Sequence, residues 1–441
     1  MFFTWPIRGD LFSVIGFSLA LFYDRSPHYT TESTVDIVYN LKKTDMKLPI
    51  YMDYHSTTPL DPQVLEAMMP YLTEKFGNAA SRNHSFGWQA EAAVEKGRNQ
   101  IAHLIDAQPK EIIFTSGATE SDNLALVGIA EAYQENGNHI ITCVTEHKAI
   151  LDTCNYLEKK GFQITYLPVD HYGQVAPDDV KKALTDKTIL VSLMAANNEI
   201  GTLHPLQEIG KITKAKGIMF HTDAAQAAGK IPLNVQSMNI DLMSLSGHKI
   251  YGPKGIGALY VRSKNPRVKL APLIHGGGHE RGMRSGTLNV PGIVGMGKAC
   301  EIAEEKMSEE SMRLRFLRDK LEQALMKNLD PVYLNGHPTQ RLPNNLNLSF
   351  AFVKSEALIM EMKEIAVSSG ATCASATQEP SYVLKAIGLN DELVRSSIRY
   401  GLGRFNTEEE VNYVAEKTIA VVKQLRDKSP FYEMAKIGHG S

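Results

Sequence analysis

Between Ile112 and Val261 the chain alternates short apolar runs with longer segments whose apolar residues recur at helical spacing. The runs Ile112–Thr115, His139–Val144, Ile164–Val169, Ile189–Ala195, Ile218–Thr222 and Leu242–Leu245 have strand length, and Gly257–Val261 extends the series. Ser121–Asn136, Lys148–Lys160 and Leu206–Lys216 read as the helices between them. Repeated strand–helix units of this size imply a mostly parallel sheet covered by helices on both faces. Upstream, Asp61-Pro62 reads as a cap followed by proline at the first helical position. Trp88–Ile105 reads as a helix through Ala90, Ala93, Val94, Ile101, Leu104 and Ile105.

Downstream the pattern changes. Ile293–Leu329 is a long helical stretch with a break expected near Ser308. Asn345–Phe350 and Ser397–Tyr400 read as strands, and Thr407–Arg426 as an amphipathic helix. The expected class is α/β: a large domain over 61–307 on a mostly parallel sheet, and a smaller α+β domain from 46–60 together with 308–441.

Composition narrows the function. Of 441 residues, 43% are hydrophobic and 22% charged, with a net charge of -2, which is an ordinary globular mix. No basic field for nucleic acid exists. The four cysteines are scattered without metal-site spacing or a disulfide framework, which fits a reducing cytoplasm. Leu11–Tyr23 is a 13-residue apolar run, too short to span a bilayer, so no membrane partner is expected. Acidic residues around it argue against a transit peptide. Residues 1–45 are read as an extension outside the fold, with Met46 as the natural start.

The candidate chemistry collects at strand ends. Leu242–Leu245 leads into Ser246-Gly247-His248-Lys249, and a Gly/Pro-rich stretch follows. A lysine held by a turn at the end of a buried strand can lose water, lower its pKa and form a Schiff base. Ser246 and His248 beside it can contact an anion. Taken alone, a surface lysine is the commoner outcome. Thr115-Ser116-Gly117-Ala118-Thr119-Glu120 leaves a strand and opens a helix, where free N–H groups suit a phosphate. Asp223 closes its strand and could hold a pyridine nitrogen protonated, or simply cap the next turn. Gln226 lies three residues on, within reach of a phenolic oxygen. His147 could stack on a flat cofactor and exchange a proton, or be a hydrogen-bonded core residue. Asn197-Asn198 could fix a ring hydroxyl or a carboxylate, or serve the turn before Gly201. His275 and His279 are separated by glycines, so a flexible loop is expected there rather than a metal site.

From Met46 almost to its end the chain resembles the pyridoxal-phosphate cysteine desulfurases of the iron–sulphur cluster assembly type. The matching motifs are 46–51, 115–123, 145–149, 197–201, 246–257, 275–287, 368–373 and 379–382. The resemblance implies the type I aminotransferase fold, the cofactor pyridoxal 5'-phosphate and a homodimer with sites near the subunit interface. It implies Lys249 as the Schiff-base lysine, His147 as the stacking acid/base, Asp223 at the pyridine nitrogen and Gln226 at the phenolic oxygen. Asn198 would contact cofactor or substrate. Ala118, Thr119, Ser246 and His248 would line the phosphate, and Thr287 would reach it from the other subunit.

Cys373 sits among small residues in 368–376, which reads as a mobile loop able to carry sulfur outward. With the resemblance, it is the nucleophile that receives sulfur from L-cysteine as a persulfide, leaving L-alanine. Cys143 and Cys154 read as packing. Strand alternation puts Arg399 opposite Ile398, and a guanidinium can grip a carboxylate or make an ordinary ion pair; the resemblance implies Arg399 and Asn198 as substrate-binding residues. The family further implies transfer of sulfur to an iron–sulfur scaffold protein or to tRNA thiolation. It also implies Cys373 as a transient [2Fe–2S] ligand shared with that scaffold. Selenocysteine lyase or aminotransferase activity on the same fold is the alternative, and a cofactor-free scaffold is a rival of another class. The end of the chain, Gly438-His439-Gly440-Ser441, is expected to be disordered when free and to weaken docking to a family scaffold.

Overall fold

The computed structural model describes residues 47–369, 380–430 and 432–434. Cys373, the 1–45 extension and the last residues of the tail therefore lie outside the described residues. Strand β1 (Ile50–Tyr51) is followed by helices α1 (Pro62–Thr73) and α2 (Ser85–Leu104). Then come β2 (Ile112–Thr115), α3 (Ala118–Ala132), β3 (His139–Cys143), α4 (Lys148–Lys159), β4 (Gln163–Leu167) and α5 (Pro177–Ala183). The series continues with β5 (Thr188–Ser192), α6 (Leu206–Ala215), β6 (Met219–Asp223), β7 (Leu242–Ser246) and β8 (Gly257–Val261). Beyond lie α7 (Val290–Asn328), β9 (Val332–Leu334), β10 (Asn345–Phe350), α8 (Ser355–Glu361), β11 (Ile365–Ala366) and β12 (Ser368–Ser369). The last elements are α9 (Tyr382–Ala386), α10 (Asp391–Arg395), β13 (Ser397–Gly401) and α11 (Glu408–Asp427).

The seven central strands form one sheet in the order β2-β8-β7-β6-β5-β3-β4. All pairs from β7 to β4 are parallel, and β8 runs antiparallel to both β7 and β2. Because β8 reverses twice, the C-terminal ends of β2, β3, β5, β6 and β7 share one edge. Their side chains are buried on both faces, as a sheet between helical layers requires. A second, four-stranded sheet has the order β12-β13-β10-β9. The α/β class with a mostly parallel sheet is what the alternation predicts.

Three local expectations are revised. Helix α7 runs unbroken through Ser308 for 39 residues, because nothing near that serine breaks a helix and both halves bury apolar residues from Val290 to Leu325. Helices α2 and α3 begin three residues before the expected Trp88 and Ser121. The His84 side chain accepts the Gly87 N–H and caps α2, and caps of this kind carry no hydrophobic signal. Finally, the His275–Arg281 loop is pinned rather than free. Glu280 is buried in a two-pronged pair with Arg98, at 2.8 Å for each contact, and also accepts the Phe114 N–H at 2.8 Å. Arg281 donates to the Ile112 carbonyl at 2.8 Å. Breaking such a buried pair strands a charge, so Arg98→Ala is expected to cost about 3–5 kcal/mol. A lowered urea midpoint checks this; an unchanged midpoint would show that the loop's other bonds suffice.

Candidate active site

Each strand end at the shared edge delivers a polar group into one cavity of about 840 Å³. Register explains how. Thr115, Gly257 and Ser246 stand in line across β2, β8 and β7, and Asp223 lies opposite Ser244. Any Cβ on Gly257 would sit 2.6 Å from the Gly117 backbone, so only glycine lets the Ser116-Gly117 turn close onto the sheet. That turn starts α3 with no side-chain cap. The first-turn N–H groups of Ala118 and Thr119 have no partner inside the helix, and both residues line the cavity. They form a cradle for an anion, reinforced by the helix dipole. Glu120 shapes it: its carboxylate accepts the Ser116 N–H at 2.7 Å and the Arg284 Nε–H at 2.9 Å. Arg284 thus neutralises a carboxylate that would otherwise repel the anion.

Lys249 ends the short 3-10 turn after β7. Its Nζ donates to the carbonyls of His55 and Ser56 at 2.5 and 2.7 Å. Burial, then the nearby Arg399 guanidinium, lower its pKa to about 8, against the opposing pull of Asp223 and Asp53. His248 is held neutral, pushed down to about 4 by burial and by Lys249, Lys254 and Lys230. It offers the anion a hydrogen bond rather than a charge. Asp223 is 7% exposed and accepts the Ala225 N–H at 2.9 Å. Burial raises its pKa, while His147 and Lys249 draw it back down.

His147 caps α4, its Nδ1 accepting the Ala149 N–H at 3.2 Å. The neutral ring therefore carries its proton on Nε2, the nitrogen left for exchange. His147 thus caps a helix and lines the cavity at once. Gln226 is not a free arm. It donates to the His55 carbonyl at 2.9 Å, and its Oε1 lies 3.0 Å from His55 Nδ1. One Nε2 hydrogen remains for a further acceptor. Asn197 is structural, its side chain bonding Thr145, Glu199 and Ile200. The Asn198 Oδ1, by contrast, is buried without a partner, although its residue lines the cavity.

Arg399 makes an ion pair and keeps one donor unused. It donates to Asp53 at 2.8 Å, to the Asn198 carbonyl at 2.8 Å and to Ser368 at 3.1 Å, yet its buried Nε has no partner. The cavity thus collects Ala118, Thr119, His147, Asn198, Asp223, Gln226, Ser246, His248, Lys249 and Arg399. Thr287 is exposed and does not line it. Cys143, Cys154 and Cys300 are buried, as packing residues.

His55, Ser56, Asp53, Glu120 and Arg284 carry functional contacts that periodicity does not reveal. The polar density of Tyr54-His55-Ser56-Thr57-Thr58 after β1 was the available signal. Among the described residues no group of three or more His, Cys, Asp or Glu side chains could hold a metal ion. No described helix is long and apolar enough to cross a membrane.

A flat cofactor bearing a phosphate fits this donor set. The cradle would take the anion, Asp223 would take a ring nitrogen, the orphaned Asn198 Oδ1 would gain a donor, and Lys249 would reach a carbonyl carbon. Comparison with known proteins agrees. Residues 50–414 match the family "Aminotransferase class-V". Cysteine desulfurase IscS of Anaeromyxobacter sp. (strain Fw109-5) is 57% identical over 393 residues, covering 89% of this chain and 97% of its own. The Rickettsia bellii enzyme of the same name is 56% identical over 399 residues, covering 90% and 97%. A solved NifS-like protein superposes with a TM-score of 0.80 at 40% identity, covering 85% of this chain and 100% of its own. The structure of SspA in complex with cysteine gives 0.72 at 38% identity, covering 81% and 100%. The chain belongs to the class-V aminotransferases and, within them, to the pyridoxal-phosphate-dependent cysteine desulfurases.

Proposed function

We propose that this enzyme moves the sulfur of L-cysteine onto Cys373 and passes it on to an acceptor, with the cavity residues in the following roles. The observation that carries the reading is the convergence of a desolvated lysine, a buried acid, an uncapped helix start and a partly unused arginine in one cavity. Pyridoxal phosphate, when bound, supplies an electron sink for charge developing on the substrate. Ala118, Thr119, Ser246 and His248 hold its phosphate, Asp223 its ring nitrogen, and Gln226 and Asn198 its ring oxygen and substrate. Arg399 orients the substrate carboxylate through its free Nε–H. Lys249 moves protons at Nζ and His147 at Nε2. The Cys373 thiolate attacks the substrate sulfur. A sulfur–sulfur bond forms as the bond from sulfur to the β-carbon breaks, and the electron pair left on that carbon takes a proton, yielding alanine.

Cys373 is tethered four residues beyond Ser369, which lines the cavity. Chain geometry limits the separation of those two Cα atoms to roughly 14 Å. Mass spectrometry after cysteine treatment tests the reading: added sulfur belongs on the Cys373 peptide, and its appearance only on another cysteine would overturn it. Arg399→Lys keeps the charge but loses the fork. Its KM for cysteine is expected to rise about 10- to 100-fold, measured by alanine release.

The further steps follow the family: sulfur delivery to an iron–sulfur scaffold and to tRNA thiolation, a transient [2Fe–2S] ligand at Cys373, a cytoplasmic setting and a homodimer. Support for the homodimer is the exposed apolar set Leu65, Met69, Leu72, Phe76, Phe86 and Trp88 on α1, the connection after it and the start of α2, together with the exposed Thr287. The division into large and small domains rests on the seven-stranded and four-stranded sheets being separate.

A further inference from the structure

Behind the cavity edge three carboxyl groups share one dry region. Asp122 lies on α3, one turn in from the anion cradle, with its side chain 1% exposed. Neither of its oxygens has a hydrogen bond of normal geometry. The Ser244 hydroxyl on β7 is the side chain that favours its charge, and it also lies 3.0 Å from His221 Nε2. His221 on β6 lies 3.7 Å from Asp122 but supplies no cation. Its Nδ1 lies 2.9 Å from the Ser192 hydroxyl, and burial drives its pKa down to about 3. The other groups facing Asp122 are acids: Asp223 from β6, and Glu146 from the connection between β3 and α4.

A buried carboxylate without donors or a counter-ion is strongly disfavoured, and a second negative charge nearby makes it more so. Of the three acids only Asp223 faces a cation, the Lys249 ammonium. Glu146 accepts the Met194 N–H at 2.7 Å, but its Oε2 is buried and unpartnered, and burial raises its pKa to about 8. Burial and the Asp223 charge raise that of Asp122 well above the carboxylate range.

We propose that Asp122 is a neutral, protonated carboxylic acid in the working enzyme, and that by carrying no charge it allows Asp223 to stay ionised beneath the cofactor ring. Asp122 is then a positioning residue acting through Asp223. This rests on the role assigned to Asp223 above.

Infrared spectroscopy of the holoenzyme tests it, with aspartate labelled by heavy carbon at the side-chain carboxyl. At neutral pH a protonated-carboxyl carbonyl band should shift with the label and be lost in Asp122→Asn. The isosteric neutral amide should also leave the pH midpoint of the bound cofactor's absorbance unchanged. Absence of the labelled band, its persistence in Asp122→Asn, or a shifted midpoint in that variant overturns the proposal. If Asp122→Asn does not fold, the labelled unmutated enzyme decides. A band that titrates away in the ordinary carboxylate range overturns the proposal, and one that survives to higher pH supports it. Asp223→Asn separates the two readings: an unaltered cofactor spectrum there removes the role of Asp223, and with it the positioning role of Asp122, whatever the infrared band shows.

Discussion

Lys249→Ala is expected to abolish covalent attachment of the cofactor and to lower alanine formation by at least about 10²–10⁴-fold, the range set by losing a general acid–base. The reason is positional. Lys249 is half-buried at the strand end beside the cradle, whereas Lys254, which also lines the cavity, is exposed. Borohydride reduction followed by peptide mapping checks the assignment, and a label on Lys254 or Lys230 would refute it. The pH dependence has a definite sign. Only the neutral amine is a nucleophile, and the pKa of Lys249 is lowered from 10.5 to about 8. The neutral fraction therefore grows as pH rises through about 8. The rate at which added cofactor attaches to apo-enzyme should climb over that interval and flatten above it, as followed by absorbance. A rate still climbing steeply well above it would mean that burial does not tune this lysine.

Cys373→Ser is expected to keep cofactor binding and the absorbance change on adding cysteine, because the residues proposed to hold the cofactor are all others that line the cavity. Persulfide formation should disappear and sulfide release with a thiol reductant should fall by more than about 10²-fold. A hydroxyl does not ionise at neutral pH and cannot accept sulfur as a thiolate does. Alanine and sulfide assays with cysteine and selenocysteine, run on both forms, separate this chemistry from transamination. Undiminished sulfide release by the serine variant would refute the sulfur-carrier role of Cys373.

The alternation of apolar runs determined the parallel core of the sheet, and turn chemistry determined where each strand stops. Strand ends in such a sheet share one edge, so Lys249, Asp223, His147 and the Ser116-Gly117 turn could be brought together before any coordinates were known. Those signals are local: each needs only the neighbouring residues. Cap positions were harder, since the His84 cap of α2 adds nothing to an apolar pattern. What tertiary structure alone decided involves partners far apart in sequence. Gln226 is held by His55 across 171 positions, Arg399 by Asp53 across 346, and Glu120 by Arg284 across 164. No periodicity links such pairs, because their meeting depends on how the segment after β1, the pinned Glu280 loop and strand β13 pack around the sheet edge. The protonation of the site has the same origin. Lys249 and Asp223 are ordinary residues in an unfolded chain, and only burial, with the charges that packing sets beside them, moves their pKa values.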